Sequence, residues 1–526
     1  MRYTIIELNG RYRESGESTR KLFRFDRFYE QVERILRGKA VRRVLVHRRE
    51  KLGLPVYGAV EEVAAALRRL TESGREVWYY ASSYESFDCV LAAACTHRVL
   101  HPLGTVSFTG VSLSTVFLRN MLDAHKVGVE VIRRGRYKSG ADLFRTEKFD
   151  RYTREQYQAI ADGAVASLRS RAASLIPDRL LDELLAGRIL TAAEAVEQGI
   201  VQAARTVDAL LNEWKAEKHR EKKAGKIRGR FGRGRRVAVL GFEGGIVDGD
   251  TRRSSPMGPM VGDRTMVKEI RALRKSRRVK AVVFRINSGG GSATASENIL
   301  RELVALNEKK PVVVSMGPVA GSGGYWISAT GGRVFSCATT ITGSIGVITL
   351  FFNLAELLRS HGITVDCVRR GDSADLGSAL RPLTEAERHR IDGVVGYLYE
   401  RFLETVAEAR KTTPPAVDEL GEGRVWLGAD AVERGLVDEV GGLHEAIRYA
   451  ASLLGTERVQ VVIKPRVRRS FVTRILEDAK PATGVDVIES LPVAATVPIA
   501  LARQCMSLHG RSLAVDPVLA GIVAGR

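Results

Sequence analysis

One stretch of the 526-residue chain occurs twice: residues 187–201 read GRILTAAEAVEQGIV, and residues 423–437 read GRVWLGADAVERGLV. A shorter match has the same separation of 236 residues, with IRRG at 132–135 and VRRG at 368–371. Self-similarity at a fixed separation indicates a repeated structural unit. The sequence therefore predicts two homologous domains in tandem.

A change in composition separates the two copies. Residues 215–236 contain 11 Lys or Arg among 22 residues, interleaved with glycine, which is typical of a solvated linker. We therefore predict four segments: an N-terminal repeat at 1–212, a basic glycine-rich linker at 213–236, a C-terminal repeat at 237–465, and a tail at 466–526 with no assignable role.

Within each copy, apolar runs rich in β-branched residues alternate with stretches of helical spacing. In the second copy we expect strands at 282–286, 311–314, 333–335 and 364–368, and helices at 296–307 and 354–361. A longer helix is expected to begin at Thr384, where Thr and Glu three residues apart form a capping box, and its counterpart at Thr153. Such alternation predicts βαβ units, mainly parallel sheets and the α/β fold class.

Composition and motifs exclude several kinds of protein. With 44% apolar residues, the chain is expected to form a globular core despite a net charge of +21. Its five cysteines are widely spaced and contain no CxxC pair, so we expect no metal site. Neither a P-loop nor a dinucleotide-binding fingerprint is present, which argues against nucleotide cofactors, and no cofactor is predicted.

The basic excess and the N-terminus bear on location. The chain lacks the aromatic and zinc modules of dedicated nucleic-acid binders, so we predict no nucleic-acid partner. The basic linker is suited to peripheral contact with an anionic membrane. The first residues show no basic region followed by an apolar one, and no uninterrupted apolar run is long enough to span a bilayer. A cytoplasmic or peripherally membrane-associated protein is expected.

Two glycine-rich turns in the second copy are candidates for chemistry. Residues 287–291 read NSGGG and residues 320–324 read AGSGG, each after a predicted strand. Small residues at the carboxyl ends of parallel strands are where α/β proteins form their sites. Ser322, between glycines, can sit on a tight turn with its hydroxyl exposed to substrate. The alternative interpretation is that these glycines only allow dense packing.

A serine nucleophile needs a general base. None of the nine histidines lies in surroundings typical of catalysis, which leaves lysine as the alternative base. Free lysine has a pKa of about 10.4, and burial in an apolar pocket lowers such a value. Lys138 follows the Arg-Arg-Gly turn of the first copy, whereas the second copy has no lysine there. Each copy has thus kept what the other lacks, which predicts one composite site at their interface.

At this point the residues resemble the signal peptide peptidase A family of Ser–Lys proteases (protease IV) in its tandem-domain form. The resemblance covers most of residues 1–465 and is strongest at 284–292, 316–328 and 342–346. It implies crotonase-like (ClpP-like) domains, an oligomer for which a tetramer is favoured, and access restricted to unfolded or short peptides. One departure is Gly289, which stands where the family usually has proline.

The resemblance also assigns roles by position. Ser322 is implied as the nucleophile, Lys138 as the general base, and Ser344 as the residue that orients the lysine. The backbone N–H groups of Gly290 and Gly323 are implied as the oxyanion hole.

The sequence therefore predicts an ATP-independent serine endopeptidase that degrades signal-peptide remnants or other short apolar peptides. Two alternatives stay open: a crotonase-fold enzyme acting on acyl-CoA, and a non-catalytic oligomeric scaffold. Neither explains why a serine lies between glycines in one copy while a lysine is kept only in the other.

Overall fold

A computed structural model describes residues 2–15, 22–49, 52–53, 57–223, 230–251, 259–464 and 512–513. The tail predicted at 466–526 lies outside the described residues except for 512–513, and so does the 224–229 part of the predicted linker. The remainder of that linker contains the end of a helix and short strands.

The first half of the chain alternates strands and helices. Its strands are β1 (Arg2–Glu7), β2 (Gly10–Arg13), β3 (Leu22–Arg24), β4 (Val41–Arg48), β5 (Leu52–Gly53), β6 (Glu76–Ala81), β7 (His97–Leu100), β8 (Thr105–Ser107), β9 (Gly128–Arg134), β10 (Ile189–Thr191), β11 (Ala203–Ala204) and β12 (Arg220–Glu221). Its helices are α1 (Phe25–Arg37), α2 (Tyr57–Glu72), α3 (Ser86–Ala93), α4 (Arg119–Ala124), α5 (Asp142–Arg145), α6 (Arg151–Ala172), α7 (Asp178–Leu185), α8 (Ala192–Glu197) and α9 (Val207–Ala216).

The second half follows the same plan. Its strands are β13 (Arg230–Gly232), β14 (Arg235–Glu243), β15 (Gly245–Val247), β16 (Met260–Gly262), β17 (Val279–Ser288), β18 (Val312–Gly321), β19 (Val334–Ser336), β20 (Ile341–Gly343), β21 (Val347–Asn353), β22 (Val425–Leu427), β23 (Glu439–Val440), β24 (Val459–Lys464) and β25 (Ser512–Leu513). Its helices are α10 (Asp263–Lys275), α11 (Ala293–Asn307), α12 (Gly323–Trp326), α13 (Ala355–Ser360), α14 (Glu385–Arg410), α15 (Pro414–Leu420), α16 (Gly428–Glu433) and α17 (Leu443–Ser452).

Each half is built on a mainly parallel sheet. The first has the order β11-β7-β6-β4-β1-β12, with parallel neighbours throughout. The second has the order β13-β24-β14-β17-β18-β19-β23, and β20 pairs with the end of β18. Every residue of β18 is buried, as expected of a parallel strand covered on both faces. The predicted α/β class with mainly parallel sheets is confirmed.

A small antiparallel sheet joins the two halves. Strand β9 of the first half pairs with β21 of the second over seven residues, from Arg134 opposite Val347 to Gly128 opposite Asn353. The turn that follows β9 is therefore held against the second half. This pairing fixes where Lys138 lies.

Most of the predicted elements are present, with two corrections. The capping box at Thr384 is confirmed, because its hydroxyl accepts from the backbone N–H of Glu387 at the start of α14. The counterpart helix begins at Arg151, not Thr153, because the Asp150 side chain caps it.

The second correction concerns the strand predicted at 364–368, which was wrong. These residues form neither helix nor strand and are exposed. A strand needs a neighbour for its backbone groups, and the corresponding segment of the first half, β9, has found one in β21.

Candidate active site

Ser322 lies at the junction between β18 and α12. Its φ of 53° and ψ of −120° place it on a strained turn, and its backbone N–H donates to Gly343 O at 2.8 Å. The following residue must be glycine, because a Cβ on Gly323 would lie 2.8 Å from Ser296 Oγ. The serine is fully buried in this structure. Such a turn presents a hydroxyl at the carboxyl end of a parallel strand.

Lys138 lies in the turn after β9 and is 1% exposed. The turn is pressed against the second half: the N–H of Tyr137 donates to Glu422 O at 2.8 Å. At Gly135 (φ 106°) a Cβ would come within 2.4 Å of the Glu422 carbonyl carbon. At Gly423 a Cβ would come within 2.5 Å of Lys138 Cβ. Both glycines are therefore needed for the close approach of the two backbones.

The two predicted half-sites meet. Lys138 Nζ lies 2.7 Å from Ser322 Oγ, although the residues are 184 positions apart in the chain. The same amine donates to Ser344 O at 2.8 Å and to Ser344 Oγ at 3.0 Å. Ser344 itself has a φ of 54°, and its N–H donates to Arg424 O at 2.7 Å. The structure thus brings Lys138, Ser322 and Ser344 together in one buried cluster.

The glycine loop after β17 lies beside this cluster. A Cβ on Gly324 would be 2.6 Å from Ser288 O, so the loop and the serine turn touch. The N–H of Gly290 donates to Ser288 Oγ at 3.1 Å, and that hydroxyl donates to Gly244 O at 2.7 Å. The amide of Gly290 is therefore engaged within its own loop here.

The backbone N–H that approaches the serine turn is one that sequence reasoning missed. Gly291 N would lie 3.2 Å from a Cβ on Gly323. The signal was in the sequence, since NSGGG offers three consecutive amides, but their directions depend on the loop conformation. Gly291 has a φ of 155°, which favours glycine.

Gln156 of α6 is a second residue that sequence reasoning missed. Its Nε2 donates to Tyr137 O at 3.1 Å and to Ser139 Oγ at 3.2 Å, on either side of Lys138. Its Oε1 accepts from the N–H of Val425 at 3.2 Å. A backbone carbonyl and a backbone N–H can bond only in these senses, so the site requires a side chain with one donor and one acceptor. A single amide therefore links the lysine turn to β22.

A buried ion cluster joins the halves behind the glycine loop. Arg285 of β17 donates to both carboxylate oxygens of Glu14, at 2.8 and 3.1 Å, and to both of Glu62. It also donates to Ser315 Oγ at 3.0 Å. Both glutamates belong to the first half, and Arg285 is 2% exposed. Burial raises the pKa of Glu62 to about 7, because desolvation penalises the charged form.

Glu243, at the end of β14, is a further buried carboxyl near this seam. It accepts from the N–H of Glu14 at 3.2 Å and lies 3.7 Å from Arg13 Nη1. Burial raises its pKa to about 7, with Arg13 acting in the opposite direction. The protonated form is therefore favoured in the folded protein over the unfolded one.

This shift predicts a pH-dependent stability. A carboxyl whose pKa is raised on folding stabilises the protein fully at pH values below its unfolded pKa of about 4.3, and the contribution is lost as pH rises through about 7. We expect the thermal midpoint to fall between pH 5.5 and 8.5 (about neutral ± 1.5), and Glu243→Gln to flatten that fall. Glu302 has a lowered pKa and stays ionised in this range, so Glu302→Gln should shift the curve without changing its slope. Equal slopes in wild type and Glu243→Gln would contradict the assignment.

Within the described residues, no group of three or more His, Cys, Asp or Glu side chains is placed to hold a metal ion. Among the helices that the structure describes, none combines the length and the apolar character needed to cross a bilayer.

Comparison with known proteins gives a consistent picture. The family model of peptidase family S49 matches residues 69–221, which contain Lys138, and residues 304–457, which contain Ser322 and Ser344. The chain is similar to Protease 4 of Haemophilus influenzae, with 29% identity over 84% of this chain and 75% of the relative. It is also similar to Protease 4 of Salmonella typhi (32%, covering 74% and 66%) and to the chloroplastic serine protease SPPA of Arabidopsis thaliana (29%, covering 75% and 61%).

Two tandem segments of one peptidase family, on two mainly parallel sheets, define the class as a serine peptidase. More specifically, the chain belongs to peptidase family S49. It spans between three fifths and three quarters of the length of these relatives. The resemblance noted in the sequence is thereby confirmed at the level of the family.

Proposed function

We propose that this protein is an ATP-independent serine endopeptidase that uses Ser322 and Lys138 as a catalytic dyad. One observation carries the proposal: a buried amine from the first half lies 2.7 Å from a buried hydroxyl on a strained turn of the second half. A general base must lie within about 2.6–3.2 Å of the proton that it abstracts, and this pair meets that requirement.

The dyad acts by nucleophilic catalysis. Neutral Lys138 accepts the Ser322 hydroxyl proton while Oγ forms a bond to the peptide carbonyl carbon. The resulting tetrahedral oxyanion collapses as the protonated amine gives its proton to the leaving nitrogen, which releases the first product and leaves an ester on Ser322. Water then loses a proton to Lys138 and attacks the ester. Release of the acid product returns the proton to Ser322.

Backbone and side-chain groups around the dyad have supporting roles. Ser344 accepts two hydrogen bonds from the lysine amine and so fixes the direction of Nζ. We assign oxyanion stabilisation to the N–H of Gly323 and to the glycine loop. Within that loop, Gly290 was the donor implied by resemblance, and Gly291 is the amide that lies against the serine turn. Each such donor contributes about 3–4 kcal/mol to transition-state stabilisation.

The substrates we propose are signal-peptide remnants or other short apolar peptides. A buried dyad at the junction of two domains favours extended chains over folded proteins. The basic segment 213–236 would give peripheral contact with an anionic membrane surface, where apolar peptide remnants collect.

The proposal is tested by covalent labelling with a fluorophosphonate probe, followed by peptide mass spectrometry. We expect one adduct on Ser322, none in Ser322→Ala, and unchanged labelling in Ser292→Ala, which alters a neighbouring serine outside the dyad. A hydratase acting on acyl-CoA or a scaffold would not label at Ser322. Absence of the adduct from a folded wild-type protein would therefore reject the serine mechanism.

We further propose Gln156 as a positioning residue of this dyad. Gln156→Glu would place a carboxylate against Tyr137 O, which must receive a hydrogen bond. Because small displacements of a catalytic group are costly, we expect kcat to fall about 10–100-fold with KM changed by less than about threefold. Gln158 lies two residues away on the exposed side of α6, so Gln158→Glu makes the same chemical change as a control.

The readout separates positioning from general destabilisation. Assays are run well below the thermal midpoint of each variant, and the pH profile of kcat is recorded. A displaced lysine turn should alter that profile in Gln156→Glu only. Full kcat with an unaltered profile would show that the amide has no role in positioning.

A further inference from the structure

The strand that joins the two halves uses only half of what the repeat provides. Strand β9 of the first copy pairs with β21 of the second. The separation of 236 residues that relates the two copies places 364–370 at the position of β9, and 111–117 at the position of β21. By symmetry, these two segments are the other pair of complementary edges.

The structure supports this correspondence around both segments. Helix α4 (Arg119–Ala124) and helix α13 (Ala355–Ser360) occupy positions separated by the same 236 residues. Their preceding cap residues, Leu118 and Leu354, correspond as well. The repeat is therefore in register through the segments concerned.

Among the described residues, neither 111–117 nor 364–370 is paired with a strand. Residues 111–117 nevertheless alternate between half-buried and exposed positions, which is typical of an extended edge with one packed face. An open edge of this kind is a template for pairing with another chain.

Equivalent apolar positions are buried where the edges pair and bare where they do not. Ile132 in β9 is 6% exposed, whereas its counterpart Val368 is fully exposed. Phe352 in β21 is 1% exposed, whereas its counterpart Val116 is 76% exposed. The exposed residues therefore lie where the repeat has a covered surface.

We propose that residues 364–370 of one copy of this chain pair, as an antiparallel strand, with residues 111–117 of a second copy. The occupant is the same chain because its own β9–β21 pairing supplies the template for both edges. Transferring the observed register pairs residue 113 with 368, 114 with 367, and 116 with 365. Such a contact joins two different surfaces, so each copy can bind two others and the assembly grows until a ring closes.

A designed disulfide tests the register directly. Cys367 is an exposed free thiol, and Ser114, its proposed partner, is exposed. Directly opposed residues in an antiparallel pair have Cβ atoms about 4.5–5.5 Å apart, close to disulfide geometry. With mild oxidant, Ser114→Cys should give covalent dimers and higher multimers on a non-reducing gel. Ser114→Cys combined with Cys367→Ser should give none of these additional bands.

The assembly itself is measured by light scattering after size exclusion of the full chain. Val368→Glu and Val116→Glu should each reduce the assembly to smaller species, because both place a charge in the paired strands. Val394→Glu, at an exposed valine of α14, should leave the size unchanged. Circular dichroism checks that the variants fold.

Three results would overturn the inference. The first is a monomeric wild-type protein. The second is loss of thiols in Ser114→Cys without a gain in mass, since the bond would then form within one chain. The third is an assembly that forms no Ser114→Cys cross-link and is indifferent to Val368→Glu and Val116→Glu, which would show that another surface holds the copies together.

Discussion

Lys138→Met should lower kcat/KM for peptide hydrolysis by about 10⁴-fold or more, the range seen when one member of a nucleophile–base unit is removed. Methionine has a similar length and volume, so it fills the buried site while removing the group that contacts Ser322 Oγ. Without a base, the hydroxyl keeps its proton and does not attack. The measurement is steady-state hydrolysis of a fluorogenic peptide.

Two further variants define the cause. Lys138→Arg keeps a positive charge, but arginine does not lose its proton in proteins and cannot act as a base, so activity should stay low. Lys148→Met removes an exposed lysine ten residues away and should leave activity within about twofold, as for most surface substitutions. Substantial activity in a folded Lys138→Met protein would reject the dyad while leaving family membership intact.

Arg285→Met should cause the largest loss of stability. It removes the cation that both Glu14 and Glu62 share and leaves two carboxyls buried at the junction of the halves. Removing one partner from a buried ion cluster costs about 3–5 kcal/mol, because the remaining groups have lost both water and counter-charge. We expect the first unfolding transition in urea to move to a markedly lower concentration.

The matched control is Arg271→Met, which breaks an exposed pair with Glu302 on the surface of the second half. Exposed pairs contribute about 0–1 kcal/mol, so its transition should move little. Because a chain of this size does not unfold in two states, midpoints are compared directly. Equal shifts in the two variants would show that the buried cluster does not hold the halves together.

The two glycine turns and the lysine could be located from the sequence for a clear reason. Ser322 follows a strand whose residues are apolar throughout, and its neighbours are glycines, so local rules of strand, turn and helix were sufficient. Lys138 was found by comparing the copies, because only the first retains it. The contact between them was an inference from loss in each copy.

Other features were not predictable because they depend on which edges meet. The strand expected at 364–368 has the right residues, yet it has no neighbour within the described chain, whereas its counterpart β9 has β21. The roles of Gln156 and Gly291 likewise arise from contacts between residues far apart in sequence. Propensity does not encode such contacts.

The sequence by itself determined the duplication, the α/β class, and the residue types kept in each copy, because periodicity and glycine turns are local properties of the chain. Only the tertiary structure decided which groups touch: the 2.7 Å approach of Lys138 Nζ to Ser322 Oγ, and the burial of Arg285 between two glutamates. These follow from how two sheets pack and which strand edges pair. That outcome is governed by free energy summed over the whole interface.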